Sequence, residues 1–483
     1  MRIAFLFLIA LLVCITYAQS WSVPVNISNM PGNDTYSDYC IDSNGAIHVV
    51  WEHEFQPDAV NKIMYSKSID NGQTWSTPVA ISEDIDDLMG SPLIVADSQN
   101  NLHVTYYYHN WENNQLHYRK CTNQVWGPFV DVLPGISYVI NRELVIDNND
   151  KLYVFFTLFD DWTKIKYRYL ENGIWSDIII PFNQSTAFYN ILRAVVDDEN
   201  NLLCMGEYSD GVQLGVLSYF KFYAATNTWR EPMLLGTSQC AWGYDIALDT
   251  NDNPHLVWRE FISSIPPYEM TKYSFYNGLC WTLPNVITEY GRSQTLVIDG
   301  NNSKHMVESK KFVVNEYVSN WKLKYYIGDD WENGEVLTNN SYIATYPKLI
   351  YKNNVLYLLY LDRSTASASS EVYLMKKQLS TDLFDPENNN QHPILLFQNC
   401  PNPFNNQTQI RFFLKEGGIT KLSVFNLKGQ LIKTMLSEYK KAGDYSFTWN
   451  GMDESNRAVS SGIYIYRLQV GNKFTSRMLA LVR

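Results

Sequence analysis

The chain has 483 residues, room for two or three domains, and its 46% hydrophobic and 18% charged content excludes wholesale disorder. Aromatic residues are dense, with Tyr 34, Phe 22 and Trp 14, which favours strands and sugar-facing surfaces over a helical enzyme. Lys+Arg 38 against Asp+Glu 50 leaves a net charge of −12, which argues against nucleic acid and anionic membranes as partners.

Arg2, the apolar run from Ile3 to Val13 and the small residues Thr16 and Ala18 predict a secretory signal over residues 1–18, cleaved after Ala18. The run is too short to span a bilayer and no later stretch is long enough, so no transmembrane segment is expected. Beyond it stand Cys40, Cys121, Cys204, Cys240, Cys280 and Cys400. Their wide spacing fits neither a zinc site nor a disulfide framework, with room for one or two incidental bridges. No metal and no cofactor is expected.

From residue 40 a pattern recurs: an apolar run ending in Asp, a polar turn, then a second apolar run. The turn acids are Asp42, Asp97, Asp147, Asp197, Asp249 and Asp299, with Tyr351 at the seventh position, so the steps are 55, 50, 50, 52, 50 and 52 residues. Each acid suits an Asx-turn, in which the carboxylate accepts nearby backbone N–H groups. A second strand pair follows each hairpin, carrying Trp75, Trp126, Trp175, Trp229, Trp281 or Trp331. Four short strands at this period describe a β-propeller blade. The seventh unit lacks its Trp-bearing strand, and WSVPVNIS (21–28) closely matches WSTPVAIS (75–82). The first strand is therefore expected to complete the last blade and close the ring. The fold class is all-β: a seven-bladed propeller over residues 19–380, then a linker at 381–392 and a small sandwich at 393–483.

Residues 68–75, SIDNGQTW, carry Ser68, Asp70, Gly72, Thr74 and Trp75 in the order Ser-x-Asp-x-Gly-x-Thr-Trp. This resembles the Asp box of the bacterial neuraminidase repeat. The resemblance implies a structural turn away from any substrate face, with Asp70 holding backbone N–H groups and Gly72 at positive φ.

The tail contains PNPF (401–404), VFNLKG (424–429), WNG (449–451) and SGIY (461–464), and ends on a basic, apolar strand. It resembles the type A C-terminal sorting domain of the type IX secretion system. That resemblance implies an immunoglobulin-like sandwich, export by the secretion machinery through residues 393–483, and a secreted or outer-surface location on a Gram-negative-type bacterium. Residues 393–483 hold 12 Lys+Arg and 5 Asp+Glu, net +7, whereas residues 3–392 hold 25 against 45, net −20. Such asymmetry fits two modules with different partners.

In a blade, residues just ahead of the first strand or just after the second share one face. Arg142, Arg193 and Arg292 fall ahead of their turn acids, and Arg259 and Arg363 after theirs. Beside them come Glu52, His109, Glu207, Trp242, Tyr244, Glu260 and Tyr346. Arginine forks suit carboxylate or sulfate groups and aromatic planes suit sugar rings, so an extracellular glycan or protein is the expected ligand. The alternative is that rim charges pair with each other, as Arg259–Glu260 and Asp362–Arg363 could. Sialidase-like hydrolysis would need three arginines converging beside a Tyr–Glu pair. A uronate lyase would need His53 or His109 with Arg142. No spacing demands either, the Arg-Ile-Pro motif of sialidases is absent, and no catalytic residue is assigned. A purely scaffolding surface protein is the third reading.

Overall fold

The computed structural model describes residues 20–55, 60–82, 88–109, 114–136, 139–158, 161–182, 188–209, 215–230, 232–261, 269–278, 280–314, 319–339, 341–379, 394–396, 399, 401–414, 416–471 and 473–483. Among them every regular element is a strand, and no helix is long and apolar enough to cross a membrane. The signal at 1–18 and the linker at 381–392 lie outside the described residues. The chain divides into two compact units, Met1–Tyr273 with Pro284–Ser380, and Ser274–Leu283 with Thr381–Arg483.

The first unit is a series of small antiparallel meanders, a propeller-type arrangement. Its inner strands are Asn33–Ile41, Leu88–Ala96, Val139–Ile146, Phe188–Val196, Met233–Leu248, Gly291–Ile298 and Ile343–Lys352. Each pairs with the strand that follows it in sequence. The second strands are buried on both faces. In Ile47–Phe55, Val49 and Trp51 join the core shared with Tyr357, Leu359 and Leu374, while Val50 joins the core shared with Ile94, Val104 and Tyr106. Each fully buried Val or Leu here contributes roughly 1.5–3 kcal/mol. The apolar cores therefore lie between successive meanders.

The hairpin turns show why the acids recur. The Asp97 carboxylate accepts the backbone N–H groups of Gln99 (3.0 Å) and Asn101 (2.7 Å), and Asp147, Asp197, Asp249 and Asp299 repeat the pattern. Three residues after each acid the backbone turns to positive φ, at Gly45, Asn100, Asp150, Asn200, Asp252 and Asn302. Gly, Asn and Asp tolerate that region best. Five of these residues carry side chains, and each accepts a backbone N–H from the preceding turn: Ser43 to Asn100 (2.9 Å), Ser98 to Asp150 (2.7 Å), Asn148 to Asn200 (2.8 Å), Asp198 to Asp252 (3.3 Å) and Thr250 to Asn302 (2.9 Å). The ladder returns to its start where Lys352 Nζ donates to the Ile41 carbonyl at 2.9 Å.

Residues 20–28 are part of this unit. Val25–Asn26 pairs antiparallel with Glu371–Gln378, Val25 facing Leu374 and Asn26 facing Tyr373. Trp21 packs edge-on against Tyr325 at 5.2 Å, as Trp126 packs on Tyr65 (5.3 Å) and Trp175 on Tyr118 (5.4 Å). Val25–Asn26 thus lies beside Glu371–Gln378, the strand that ends the first unit.

The second unit contains two sheets. Ile394–Leu396, Thr408–Leu414 and Gly443–Trp449 form one; Leu431–Lys440, Gly418–Asn426, Gly462–Val470 and Lys473–Leu481 form the other. Alternate residues such as Ile410, Phe412 and Leu414 meet Leu422, Val424, Tyr466 and Leu468 in one core, the sandwich pattern. Phe404 of PNPF is buried there, its N–H on the Ala480 carbonyl. Cys40, Cys121 and Cys204 are free thiols, and Cys280 is disulfide-bonded.

Candidate functional site

Every inner strand carries a β-bulge against its partner, at Thr35/Asp38, Gly90/Leu93, Ile140/Arg142, Ile191/Arg193, Ala241/Tyr244, Arg292/Thr295 and Thr345/Lys348. A bulge changes which face the following residues present. Beyond it, polar side chains join neighbouring inner strands: Asp38 accepts from Ile94 N–H (2.8 Å), Asp245 from Leu296 N–H (2.9 Å), and Thr295 Oγ1 from Leu349 N–H (3.0 Å). Lys348 pairs with Asp38. A cavity of about 420 Å³ opens here, lined by Glu143, Arg193, Asp245, Thr295, Lys348 and Tyr351 among others.

The predicted arginines are engaged separately. Arg193 faces this cavity, 3.1 Å from Glu143 and 3.8 Å from Asp245. Arg259 is buried and meets Glu269 at 3.2 Å. Arg292 is exposed and lies over the Trp321 ring at 4.3 Å, and Arg363 lies over Tyr342 at 5.6 Å. The side chains of Arg142, His109 and Trp242 lie outside the described residues.

Glu260 takes Lys272 Nζ from the next strand and Trp258 Nε1 from its own, both at 2.9 Å, and Asp362 takes Ser341 Oγ at 2.7 Å. Glu52 is buried, accepting from Asn61 Nδ2 (2.6 Å) and Ser91 N–H (3.2 Å). A Tyr–Glu pair does exist: Tyr326 donates to Glu308 at 2.7 Å, but both are buried, and burial followed by the Glu308 charge pushes the phenol far up. His53 is likewise buried, 2.6 Å from Asp34. Glu207 differs from the other acids. Burial pushes its carboxyl up to about 7, and it has no hydrogen-bond or ion-pair partner among the described residues. Tyr346 is 54% exposed at φ 51°, with its ring 6.2 Å from that of Tyr36.

The Asp-box residues form a turn. Asp70 accepts the backbone N–H groups of Gln73 (3.0 Å) and Thr74 (2.9 Å) and the Thr74 hydroxyl (2.5 Å), while Ser68 Oγ donates to Asp70 at 2.8 Å and accepts Gly72 N–H at 2.8 Å. These hydrogen bonds, with the Thr74 hydroxyl largest, hold the exposed Asp70 carboxyl well below the usual range. Gly72 has φ 77°, and a Cβ there would stand 2.9 Å from Leu374. Trp75 packs on the core that contains Leu374.

Two features escape the sequence reading. One is a relay: His48, His103 and His305, each six residues after a turn acid, approach its second oxygen at 3.2–3.3 Å and meet Tyr65, Tyr118 or Tyr325 at Nδ1. A carboxylate only accepts, so Nε2–H donates and Nδ1 receives the phenol proton. The recurring Asp-x5-His is the signal that reveals it. The other is Tyr36, which stands six residues before Asp42, as Ser91, Gly243 and Ser293 stand before theirs; all four have positive φ.

Comparison with known proteins adds the following. The FlgD Ig-like domain family matches residues 407–473. No curated protein matches the chain. Among solved structures, a polysaccharide lyase of family PL25, an ulvan lyase bound to -[GlcA(1-4)Rha3S]-, is similar at 13% identity and TM-score 0.50, over 74% of this chain and 94% of that one. PorZ, a surface component of the type-IX secretion system of Porphyromonas gingivalis, is similar at 12% identity and TM-score 0.43, over 96% of this chain and 61% of that one. The α-L-arabinofuranosidase arb93a of Fusarium graminearum is similar at 12% identity and TM-score 0.44, over 73% and 97%. These identities speak to fold alone.

Proposed function

We propose that the chain is an exported seven-bladed propeller, closed by its own first strand, that binds an extracellular glycan on the face where the inner strands begin. Supporting closure are the Val25–Asn26 pairing with Glu371–Gln378, the Trp21–Tyr325 contact and the turn ladder that returns through Lys352. Supporting the address are PNPF and the strand pattern of residues 393–483, together with the Ig-like match. On this reading the second unit serves as the type IX sorting domain.

The observation that carries the binding reading is the separation of the arginines. Each described one has its own acid or ring partner, so no carboxylate clamp forms among the described residues. The Tyr–Glu pair that a sialidase-like centre would use is buried at Tyr326 and Glu308. Aromatic surface remains at the rim, which suits sugar rings. The ulvan lyase of similar fold holds a glycan, which agrees with this use of the architecture. Glycan cleavage is the second reading, and Glu207 favours it: a carboxyl titrating near 7 is matched to proton transfer at neutral pH.

The test is a glycan array and a turnover assay on the whole mature chain. Binding without turnover is the expected result. Turnover that disappears in Glu207→Gln would replace binding by cleavage, and neither binding nor turnover would leave a scaffold.

A further inference from the structure

We infer that Tyr36 and Tyr346 form a two-ring platform that seats a neutral pyranose ring of the glycan, an inference that rests on the binding reading above. The argument begins with backbone strain. At the bulges of the first, second, fifth, sixth and seventh inner strands one residue takes positive φ: Tyr36 (43°), Ser91 (47°), Gly243 (120°), Ser293 (50°) and Tyr346 (51°). Glycine or a small polar residue meets this demand at three of the five, and a bulky side chain meets it least well. Bulky residues held there call for a compensating gain.

Burial does not supply that gain. Tyr36 is 50% exposed and Tyr346 54% exposed. The rings touch only loosely, centroids 6.2 Å apart and planes 45° from each other. About half of each residue is therefore left to solvent, with the two rings set at an angle to each other. Both stand two residues before the ion pair of Asp38 and Lys348, which places them beside the polar lining of the inner strands. The C–H face of a pyranose matches such an aromatic plane, and the ring hydroxyls can reach polar groups nearby.

Charge selects the sugar class. Burial pushes the Tyr36 phenol up and the nearby Glu52 carboxylate adds to this, so a carboxylate field reaches this spot. Residues 3–392 carry a net charge of −20. Uronates and sulfated sugars are disfavoured there, and neutral hexoses or pentoses are not.

The experiment titrates the whole mature chain with cello-, manno- and xylohexaose, and with hexagalacturonate as the anionic control. Tyr36→Gly and Tyr346→Gly remove the ring while relieving the backbone. Each is expected to weaken binding of the neutral oligomer about tenfold, with the unfolding temperature unchanged or higher. Tyr36→Phe and Tyr346→Phe are expected to bind within threefold or so of wild type, since they keep the ring face. Wild-type affinity in both glycine variants overturns the platform while leaving glycan binding intact. So does preference for hexagalacturonate, or a fall of several degrees in unfolding temperature, which would make the rings structural. A wild-type chain that binds no glycan of any kind overturns the binding reading itself.

Discussion

At the scale of single residues, the relay of acid, imidazole and phenol ties stability to pH. The Asp249 carboxyl is held at about 2: burial raises it, but the His255 imidazole 3.8 Å away and hydrogen bonds from Asn253 and the backbone outweigh that. His48, His103 and His255 are lowered, chiefly by burial, and the neighbouring acids only partly oppose this. Both shifts act in one direction. A histidine lowered in the folded state contributes stability that is complete above its unfolded value of about 6.5 and declines below it. A lowered aspartate contributes stability that is complete above about 4 and is lost towards the folded value. The relay therefore loses stability as pH falls below about 6.5 and again between about 4 and 2, whereas the Glu207 carboxyl, pushed up to about 7 by burial, restores stability over the first interval, so the unfolding temperature should fall steeply only between about 4 and 2. Thermal melts across that range check this. A protein whose unfolding temperature holds level or rises from pH 4 to 2 would contradict the low titration of these acids.

At the scale of the element, turns and bulges separate what the sequence discloses from what it hides. The turn acids recur because each supplies the acceptor for two N–H groups that the hairpin leaves unpaired, so the chemistry is written in the residue itself. The Asp box is legible for the same reason. Asp70→Ala removes acceptors for Gln73, Thr74 and Ser68 at an exposed turn, and should lower the unfolding temperature by about 2–4 °C, with glycan binding unchanged. Melting and binding measured on the same preparation check both halves. The bulges are not legible in this way. Arg193 and Arg259 occupy the windows expected of rim residues, yet the bulge at Ile191/Arg193 turns one to the cavity, and strand alternation sends the other inward to Glu269. Tyr346 was visible as a rim residue, but its partner Tyr36 was not, because only the φ of its backbone marks it out. Side-chain direction along a strand reverses with every extra residue, so windows in sequence find the face and miss the orientation.

At the scale of the whole molecule, the proposed closure would turn a row of meanders into a face. Period, turn acids and the displaced Trp-bearing segment all point to a ring in the sequence, since a propeller must pair its last sheet edge with something. The site is less readable, because binding depends on which groups converge from seven separate segments, and local sequence carries no record of that convergence. The most direct measurement is a cross-link at the seam. Asn26 faces Tyr373 beside the Ile27 N–H bond to the Val372 carbonyl (2.8 Å), a position where two side chains stand close across the pair. Asn26→Cys with Tyr373→Cys should oxidise spontaneously in the native protein, and the linked form should unfold at a higher temperature than the reduced one. A double variant that folds like wild type, keeps both thiols free under oxidising conditions, and links only after unfolding would contradict the closed ring and the face built on it.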